Sequence, residues 1–321
     1  MKSLIRVIFL SVVAFAGLAG AQTYPARPIR MLLPQTPGAG VDLILRRASE
    51  DLRSRLGQPI LVENHPGANQ VVAADMCAKA APDGYTLCTV SMDSTSINPQ
   101  LMSKIPYDPK DLKPIVNLYT ILGGLYVKSS LPAAGARELH DLALAKPGAL
   151  NWAHLGHQTI TDLSRMWLES KWNVQFAGIP YKGGPQIFNA LAAGEIDVTW
   201  QGVYGGIGLT KEGKIRLLAV GGSKRLPQYP DVPTLSELGL QELPSASAWW
   251  GVFGQAALPA PIVNRINSEF VRLFREPKFT EFLASLVTES SAGSQEEFAT
   301  TVKKTDATIT QLVKQFNIQK H

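Results

Sequence analysis

The sequence has few of the residues and motifs on which catalytic and metal centres are built. Its 321 residues include two cysteines and five histidines, with no CxxC pair. It contains no G-x-S-x-G elbow, no H-E-x-x-H pair and no Walker loop, which leaves an enzymatic function unsupported. Its basic residues are scattered without interleaved aromatic residues, so nucleic-acid binding is a poor interpretation. We therefore expect a binding protein with no cofactor and no resident metal ion.

Residues 1–21 predict a secretory signal peptide. A basic start with Lys2 and Arg6 leads into an apolar run over residues 7–18 and then the small residues Ala19-Gly20-Ala21. We expect cleavage after Ala21, which removes both basic residues and lowers the formal charge from +5 to +3. No later apolar run is long enough to span a bilayer. The expectation is a soluble exported protein, with an uncleaved anchor as the alternative.

The two cysteines are compatible with a disulfide or with two free thiols. Cys77 falls in a predicted helix over residues 71–81, and Cys88 falls in a predicted strand over residues 85–90. In an oxidising compartment they would pair if the helix and strand pack side by side. The alternative is two small buried apolar side chains, and the sequence leaves both open.

Short β-rich runs alternate with amphipathic helical stretches along the chain. The first part predicts half of a doubly wound sheet, with strands 29–33, 59–63 and 85–90 and helices 42–56 and 71–81. A long strand at 116–127 leads into a second alternating part, with helices 136–145, 161–170 and 185–193 and strands 150–153, 175–179, 197–200 and 217–220. The chain then returns through a strand at 249–253 and ends in helices 262–274, 278–286 and 295–316.

This pattern predicts an α/β protein with two lobes, each a doubly wound sheet flanked by helices. We expect domain I to contain residues 22–120 and 248–321, and domain II to contain residues 121–247. Two crossing strands form the hinge. The ligand is expected in the cleft between the lobes, at the carboxyl ends of the strands.

Two glycine-containing turns between a strand and a helix are the first candidates for ligand binding. They cover residues 34–42 and 153–159. Unpaired backbone N–H groups and the helix macrodipole favour an anion at such helix starts. We therefore assign ligand-binding roles to Thr36, Gly38, Ala39, Gly40, Asp42, Gly156 and Thr159. A plain strand-to-helix turn is the alternative, and for Asp42 a role at the helix N-terminus is equally compatible.

His154 and His157 lie three residues apart in the second turn. Only Asp162 is near enough in sequence to join them as a metal ligand, so we do not expect a metal ion. We expect one of the two histidines to line the pocket, where a protonated imidazole would favour an anion. A surface or structural imidazole is the alternative.

Further candidates follow other predicted strands at their carboxyl ends, where ligand groups collect in open α/β sheets. They are Ser91, Asp93, Ser94, Tyr181 and Trp200. The alternative for Ser91, Asp93 and Ser94 is a capped turn. The alternative for Trp200 is core packing, which is commoner for an aromatic residue in a strand.

Several ordered motifs resemble the Bug proteins, the periplasmic receptors of tripartite tricarboxylate transporters. The resemblance runs from Tyr24 to the C-terminal helix and is carried by Tyr24-Pro25-Ala26-Arg27-Pro28, Leu56-Gly57-Gln58-Pro59, Val62-Glu63-Asn64-His65-Pro66-Gly67-Ala68, Ala81-Pro82-Asp83-Gly84-Tyr85, Pro180-Tyr181-Lys182-Gly183-Gly184 and Pro230-Asp231-Val232-Pro233-Thr234. It implies a periplasmic-binding-protein fold of type II. It also implies a monomeric periplasmic protein that closes two lobes on a small carboxylate and delivers it to transporter membrane subunits.

Both candidate loops depart from the usual pattern of that family. The family's Gly-Gly-Gly-Thr-Asp stretch is replaced by Gly38-Ala39-Gly40-Val41-Asp42, and its Ser-Gly-Asn-Gly-Thr loop by Leu155-Gly156-His157-Gln158-Thr159. These changes suggest an altered ligand, or a carboxylate held partly by imidazole. Aromatic, dicarboxylic, amino-acid-like and nicotinate-like acids all stay open, and Trp200 and Trp249 favour a flat one. A receptor for signalling and a secreted carboxylate-processing enzyme are the alternative functions.

Overall fold

A computed structural model describes residues 24–157, 159–222, 224–240, 243 and 247–320. The predicted signal peptide lies outside the described residues. Among the described helices, none combines the length and apolar composition that crossing a membrane requires.

The first part of the chain alternates strands and helices as predicted. It contains β1 (Ile29–Leu33), α1 (Gly40–Leu56), β2 (Ile60–Asn64), α2 (Val71–Ala78), β3 (Thr86–Ser91) and the short α3 (Asn98–Leu101). Strand β1 pairs in parallel with both β2 and β3. Helix α1 ends because Gly57 takes the left-handed conformation, φ 72°, in which its N–H reaches the carbonyl of Arg53.

The middle of the chain begins with a strand of 17 residues, β4 (Leu112–Lys128). It is followed by α4 (Ala136–Ala145), β5 (Asn151–His154), α5 (Ile160–Trp172), β6 (Ala177–Pro180), α6 (Gly184–Ala193), β7 (Val198–Gly202), α7 (Val203–Lys211) and β8 (Ile215–Val220). The return segment contains β9 (Ser247–Gln255), α8 (Ala260–Phe274), α9 (Pro277–Ser285), β10 (Thr288–Ser290) and α10 (Gln295–Gln315). Helix α10 begins with the capping box that Ser294 and Glu297 form.

The strands join in the order β2-β1-β3-β9-β4-β7-β5-β6, with β8 and β10 also pairing with β4. The first half of β4 pairs with β9 and β10, whereas its second half pairs with β7 and β8. Strand β4 therefore belongs to both lobes and connects them. The predicted two-lobed α/β fold is confirmed, including a long strand that passes from one lobe to the other.

Each lobe buries helices on both faces of its part of the sheet. In the first lobe, Ile44 of α1 and Phe270 of α8 share one buried cluster, while Phe298 of α10 lies in another. In the second lobe, Leu163 of α5 and Ile187 of α6 lie in different buried clusters. This is the double winding that the alternating pattern predicts.

Cys77 of α2 and Cys88 of β3 form a disulfide, with their Cα atoms 5.9 Å apart. The alternative of two free thiols is thereby excluded. The sequence left this open because the pairing depends on how α2 packs against β3, which periodicity does not determine.

The directions of the strands show that the carboxyl ends of the strands in one lobe point towards the other lobe. Strand β3 is antiparallel to β9, and β9 is antiparallel to β4, so β3 runs in the direction of β4. Strand β7 is antiparallel to β4, and β5 and β6 run parallel to β7. The carboxyl ends of β1 and β3 therefore point towards the second lobe, and those of β5, β6 and β7 point back towards the first.

The register gives the distance between these two edges along β4. Ser91 at the end of β3 pairs with Trp250, which pairs with Tyr119 of β4. Gly202 at the end of β7 pairs with Gly123 of β4. The five residues from Tyr119 to Gly123 span about 13 Å of extended strand, so both edges converge on one short section of β4.

Candidate functional site

The loop after β1 is anchored by Asp42 from the first turn of α1. The Asp42 carboxylate accepts hydrogen bonds from the Gly38 N–H at 2.9 Å, from Asn64 Nδ2 at 2.9 Å and from Arg46 Nε at 3.1 Å. Burial raises the pKa of Asp42, but the bonds from Arg46, Gly38 and Asn64 outweigh burial and lower the pKa below its ordinary value of 3.8. The geometry thus shows Asp42 fixing the loop from within.

The start of α1 presents backbone rather than side chains. Its N-cap residue, Ala39, makes no side-chain capping bond, and Thr36, Gly38 and Gly40 are exposed. Gly38 has a φ of +84°, a conformation that favours glycine. First-turn N–H groups without a side-chain cap are what an anion binds at a helix start.

The end of β3 carries a network of neutral polar groups around Asp93. Its Oδ2 accepts from the Ser91 hydroxyl at 2.6 Å and from Gln70 Nε2 at 3.0 Å. Gln70 also accepts from the Ser91 N–H and the Ser94 hydroxyl through Oε1. Burial is the largest influence on Asp93 and raises the pKa of its carboxyl group above the ordinary value.

The backbone around this network is locally unusual. Ala68, Asn69 and Gln70 have φ angles of 44°, 48° and 74°, in the left-handed region, and Asp93 begins a π-helical turn, Asp93–Ile97. Asn69 Nδ2 donates to Asn98 Oδ1, and Asn98 Nδ2 donates to the Asn69 carbonyl, both at 2.7 Å. Residues held in strained conformations and π-helical turns both cluster at functional sites.

The loop after β5 combines one buried and one exposed histidine. His154, the last residue of β5, is fully buried, and its Nδ1 accepts from the Gly156 N–H at 3.2 Å. Burial is the main cause that lowers the pKa of His154 below its ordinary value, so we expect a neutral ring at pH 7, with its proton on Nε2. His157 is exposed. Thr159 holds the loop by donating its hydroxyl to the Gly156 carbonyl at 2.7 Å.

Among the described residues, His154, His157 and Asp162 form a group that could hold a metal ion, because their ligand atoms lie within 4.8 Å of one another. Two features oppose this use. Arg165 already pairs with Asp162 Oδ1 at 2.8 Å. The Gly156 bond to Nδ1 also favours the tautomer whose Nε2 carries a proton rather than a free lone pair.

Tyr181 follows β6 directly, whereas Trp200 is the third of the five residues of β7. The Tyr181 N–H donates to the His154 carbonyl at 2.8 Å, so the β5 and β6 loops are adjacent. Trp200 is buried, and its ring covers Gly123 so closely that a Cβ there would overlap it. Trp249 is also buried, among Phe253 and Phe298. Both tryptophans pack in the core next to the lobe crossing.

The predicted residues thus fall into two groups. Thr36, Gly38, Ala39, Gly40, Asp42, Ser91, Asp93 and Ser94 lie at or after the ends of adjacent strands of the first lobe, and His154, Gly156, His157, Thr159 and Tyr181 do so in the second. Trp200 lies within β7 and is buried. Sequence reasoning missed Asn69, Gln70 and Arg165. The signal for Asn69 and Gln70 was present, because residues 65–70 follow β2, another parallel strand.

Comparison with known proteins identifies the class. The family model for the tripartite tricarboxylate transporter family receptor, TctC, matches residues 44–318. The chain therefore belongs to this family of solute-binding receptors, which are not enzymes. The resemblance to the Bug proteins is confirmed.

Individual relatives and solved structures can be aligned with nearly the whole chain. A UPF0065 protein of Cupriavidus necator, from the gbd 5' region, is 34% identical over 312 residues, which are 94% of this chain and 93% of the relative. The structure of the periplasmic binding protein BugD has a TM-score of 0.77 and 26% identity, and covers 93% of this chain and 100% of its own. An R. palustris protein solved with adipate has a TM-score of 0.81 and 25% identity, with the same two coverages.

Proposed function

We propose that the protein is a periplasmic receptor that captures a small organic carboxylate between its lobes and delivers it to the membrane subunits of a tripartite tricarboxylate-type transporter. The observation that supports this most is the convergence of both sets of strand ends on residues 119–123 of β4. A relative of the same fold was solved with a dicarboxylate, adipate.

We propose that the lobe boundaries fall where β4 exchanges partners. Ile121 pairs with Thr288 of β10, Leu122 with Ser247 of β9, and Gly123 with Gly202 of β7. The change of partner between residues 122 and 123 lies two residues from the predicted division into domain I at residues 22–120 and 248–321 and domain II at residues 121–247, and so supports it to within that margin. The same proposal includes cleavage of the signal peptide after Ala21 and a monomeric mature protein.

The proposed grip on the carboxylate uses the two strand-to-helix loops. From the first lobe, Thr36 and Gly40 offer backbone N–H groups. Gly38 and Ala39 shape that loop, because their own N–H groups donate to Asp42 and to the Thr36 carbonyl. From the second lobe, Gly156, His157 and Thr159 face the same crossing, while His154 and Trp200 support them from the core. Ligand binding would favour the closed arrangement because only that arrangement contacts the ligand from both sides.

A thermal-shift screen with mono-, di- and amino-carboxylates tests the proposed function. A ligand present at a hundred times its Kd adds roughly 2.7 kcal/mol to the free energy of unfolding. We expect at least one carboxylate to raise the melting temperature and to be recovered unchanged after incubation. Shifts by phosphates or neutral sugars alone would contradict the proposal.

A matched pair of variants tests the backbone grip. Gly40 is the first residue of α1, and Ala39 before it has φ −62° and ψ 153°, which suits a following proline. A Cβ at Gly40 meets no atom within 4 Å. Gly40→Pro removes one N–H, and Gly40→Ala keeps it. We expect carboxylate affinity to fall about tenfold or more in Gly40→Pro alone, the value of one hydrogen bond to a charged group.

A further inference from the structure

Three aspartates follow strands at the converging edges, and they differ in their counter-ions. Asp42 pairs with Arg46 at 3.0 Å, and Asp162 pairs with Arg165 at 2.8 Å. Within the described parts of the chain, no Lys, Arg or His nitrogen lies within 4.0 Å of the Asp93 carboxylate. Its hydrogen-bond donors named above, Ser91 and Gln70, are neutral.

Asp93 is half-buried. A half-buried carboxylate without a cation costs free energy, and neutral donors offset only part of that cost. The structure nevertheless holds Asp93 firmly. Gln70 has a left-handed backbone conformation, which is uncommon for glutamine. Its side-chain amide donates a hydrogen bond to Asp93 and accepts hydrogen bonds from the Ser91 N–H and the Ser94 hydroxyl. Residues held in strained conformations cluster at ligand sites, so we look to the ligand for the cation that Asp93 lacks.

The neighbouring loop, between β1 and α1, favours an anion, whereas Asp93 favours a cation. Strands β1 and β3 are adjacent and parallel, so the uncapped start of α1 and the Asp93 network follow strands about 4.8 Å apart. An amino acid carries an ammonium and a carboxylate on the same carbon, so its head group would present both charges to this one edge. One edge thus combines donors for an anion with an unpaired acceptor for a cation.

We propose that Asp93 binds an ammonium group of the cargo, so that the cargo is an organic acid carrying an amino substituent. This inference rests on the proposed function and names the substrate class of the same cleft. The Asp93 carboxylate forms a charge-assisted hydrogen bond to the ammonium group, while Ser91 and Gln70 orient it.

Isothermal titration with matched acids tests this inference. The pairs are succinate and aspartate, glutarate and glutamate, adipate and 2-aminoadipate, and 3-phenylpropionate and phenylalanine. We expect the amino acid of the best-fitting pair to bind at least about 30-fold more tightly than its partner, as for truncation of a buried charge pair. In Asp93→Asn, this ratio should fall close to one, with the des-amino acid bound as well as before or better.

Asp51→Asn serves as the control, because Asp51 is a surface aspartate of the same lobe that pairs with Arg47. It should keep the wild-type ratio. If des-amino acids bind wild type as well as their amino partners do, or if Asp93→Asn keeps the ratio, the inference is wrong while the carboxylate receptor stands. If no acid of any pair binds, the inference is wrong, and the thermal-shift screen alone decides whether the protein is a carboxylate receptor. Retained binding of a des-amino acid by Asp93→Asn shows that the variant is folded.

Discussion

Replacing Asp42 by asparagine should destabilise the protein because it removes the buried anchor of the first loop. The Asp42 side chain is 3% exposed and accepts from Gly38, Arg46 and Asn64. Asparagine keeps one acceptor oxygen, so at least one of these donors loses its partner. Hydrogen bonds to a charged group are worth about 1.5–3 kcal/mol. Because Arg46 is half-exposed and regains water, we expect a loss of about 2 kcal/mol in the free energy of unfolding.

Chemical denaturation of Asp42→Asn and Asp51→Asn measures this loss against a matched control on the same helix. Asp51 pairs with Arg47 at the surface at 3.1 Å, so its removal should cost less than about 0.5 kcal/mol. The carboxylate affinity of Asp42→Asn should also fall, since Gly38 is no longer held. Equal stabilities of the two variants would refute the reasoning.

The same reasoning fixes the pH dependence. Folding lowers the pKa of Asp42 below 3.8, so its contribution is complete above the unfolded pKa and is lost as the pH falls through the folded pKa. The difference between wild type and Asp42→Asn should therefore be constant above about pH 5 and shrink in acid. A difference that grows on acidification would contradict this sign.

Two further variants test the crossing and the disulfide. Gly123→Ala should lower the free energy of unfolding by about 1–3 kcal/mol, because the new Cβ would overlap the Trp200 ring. The control is Gly208→Ala, whose Cβ would meet no atom within 4 Å; it should leave the free energy of unfolding unchanged or raise it. Urea denaturation measures both. Replacing both Cys77 and Cys88 by serine should lower the free energy of unfolding by about 2–3 kcal/mol, since the disulfide closes a loop with a sequence separation of 11. An unchanged denaturation midpoint in Gly123→Ala would contradict the overlap with Trp200. An unchanged midpoint in the double serine variant would contradict a stabilising disulfide.

Periodicity predicted most of the fold because each strand and helix has one apolar side to bury. The helix α7 was missed because Gly205, Gly206 and Gly208 weaken its helical signal. The strand β10 was missed because it has only three residues. The helix predicted over residues 71–81 ends earlier, at Ala78, where Lys79 leaves the helical conformation ahead of the turn at Pro82.

The site was predictable only as far as it depends on strand ends. Asp93 was found because it follows β3, but its missing counter-ion depends on contacts among residues 69, 70 and 91 that no spacing shows. The role of Asp42 depends on Arg46, one helical turn away, and also on Asn64, which is 22 residues away in sequence. The burial of His154 depends on packing between loops. Chain direction gives the location of the cleft, while side-chain packing determines what it binds.

A crystal structure with the most stabilising carboxylate tests the central claim most directly. We expect density for the acid at the level of Tyr119 to Gly123, bonded to N–H groups of the loop at Gly38 and of the loop at Gly156. An acid bound to one lobe alone, or on an outer face away from β4, would contradict the claim that the two edges share one ligand.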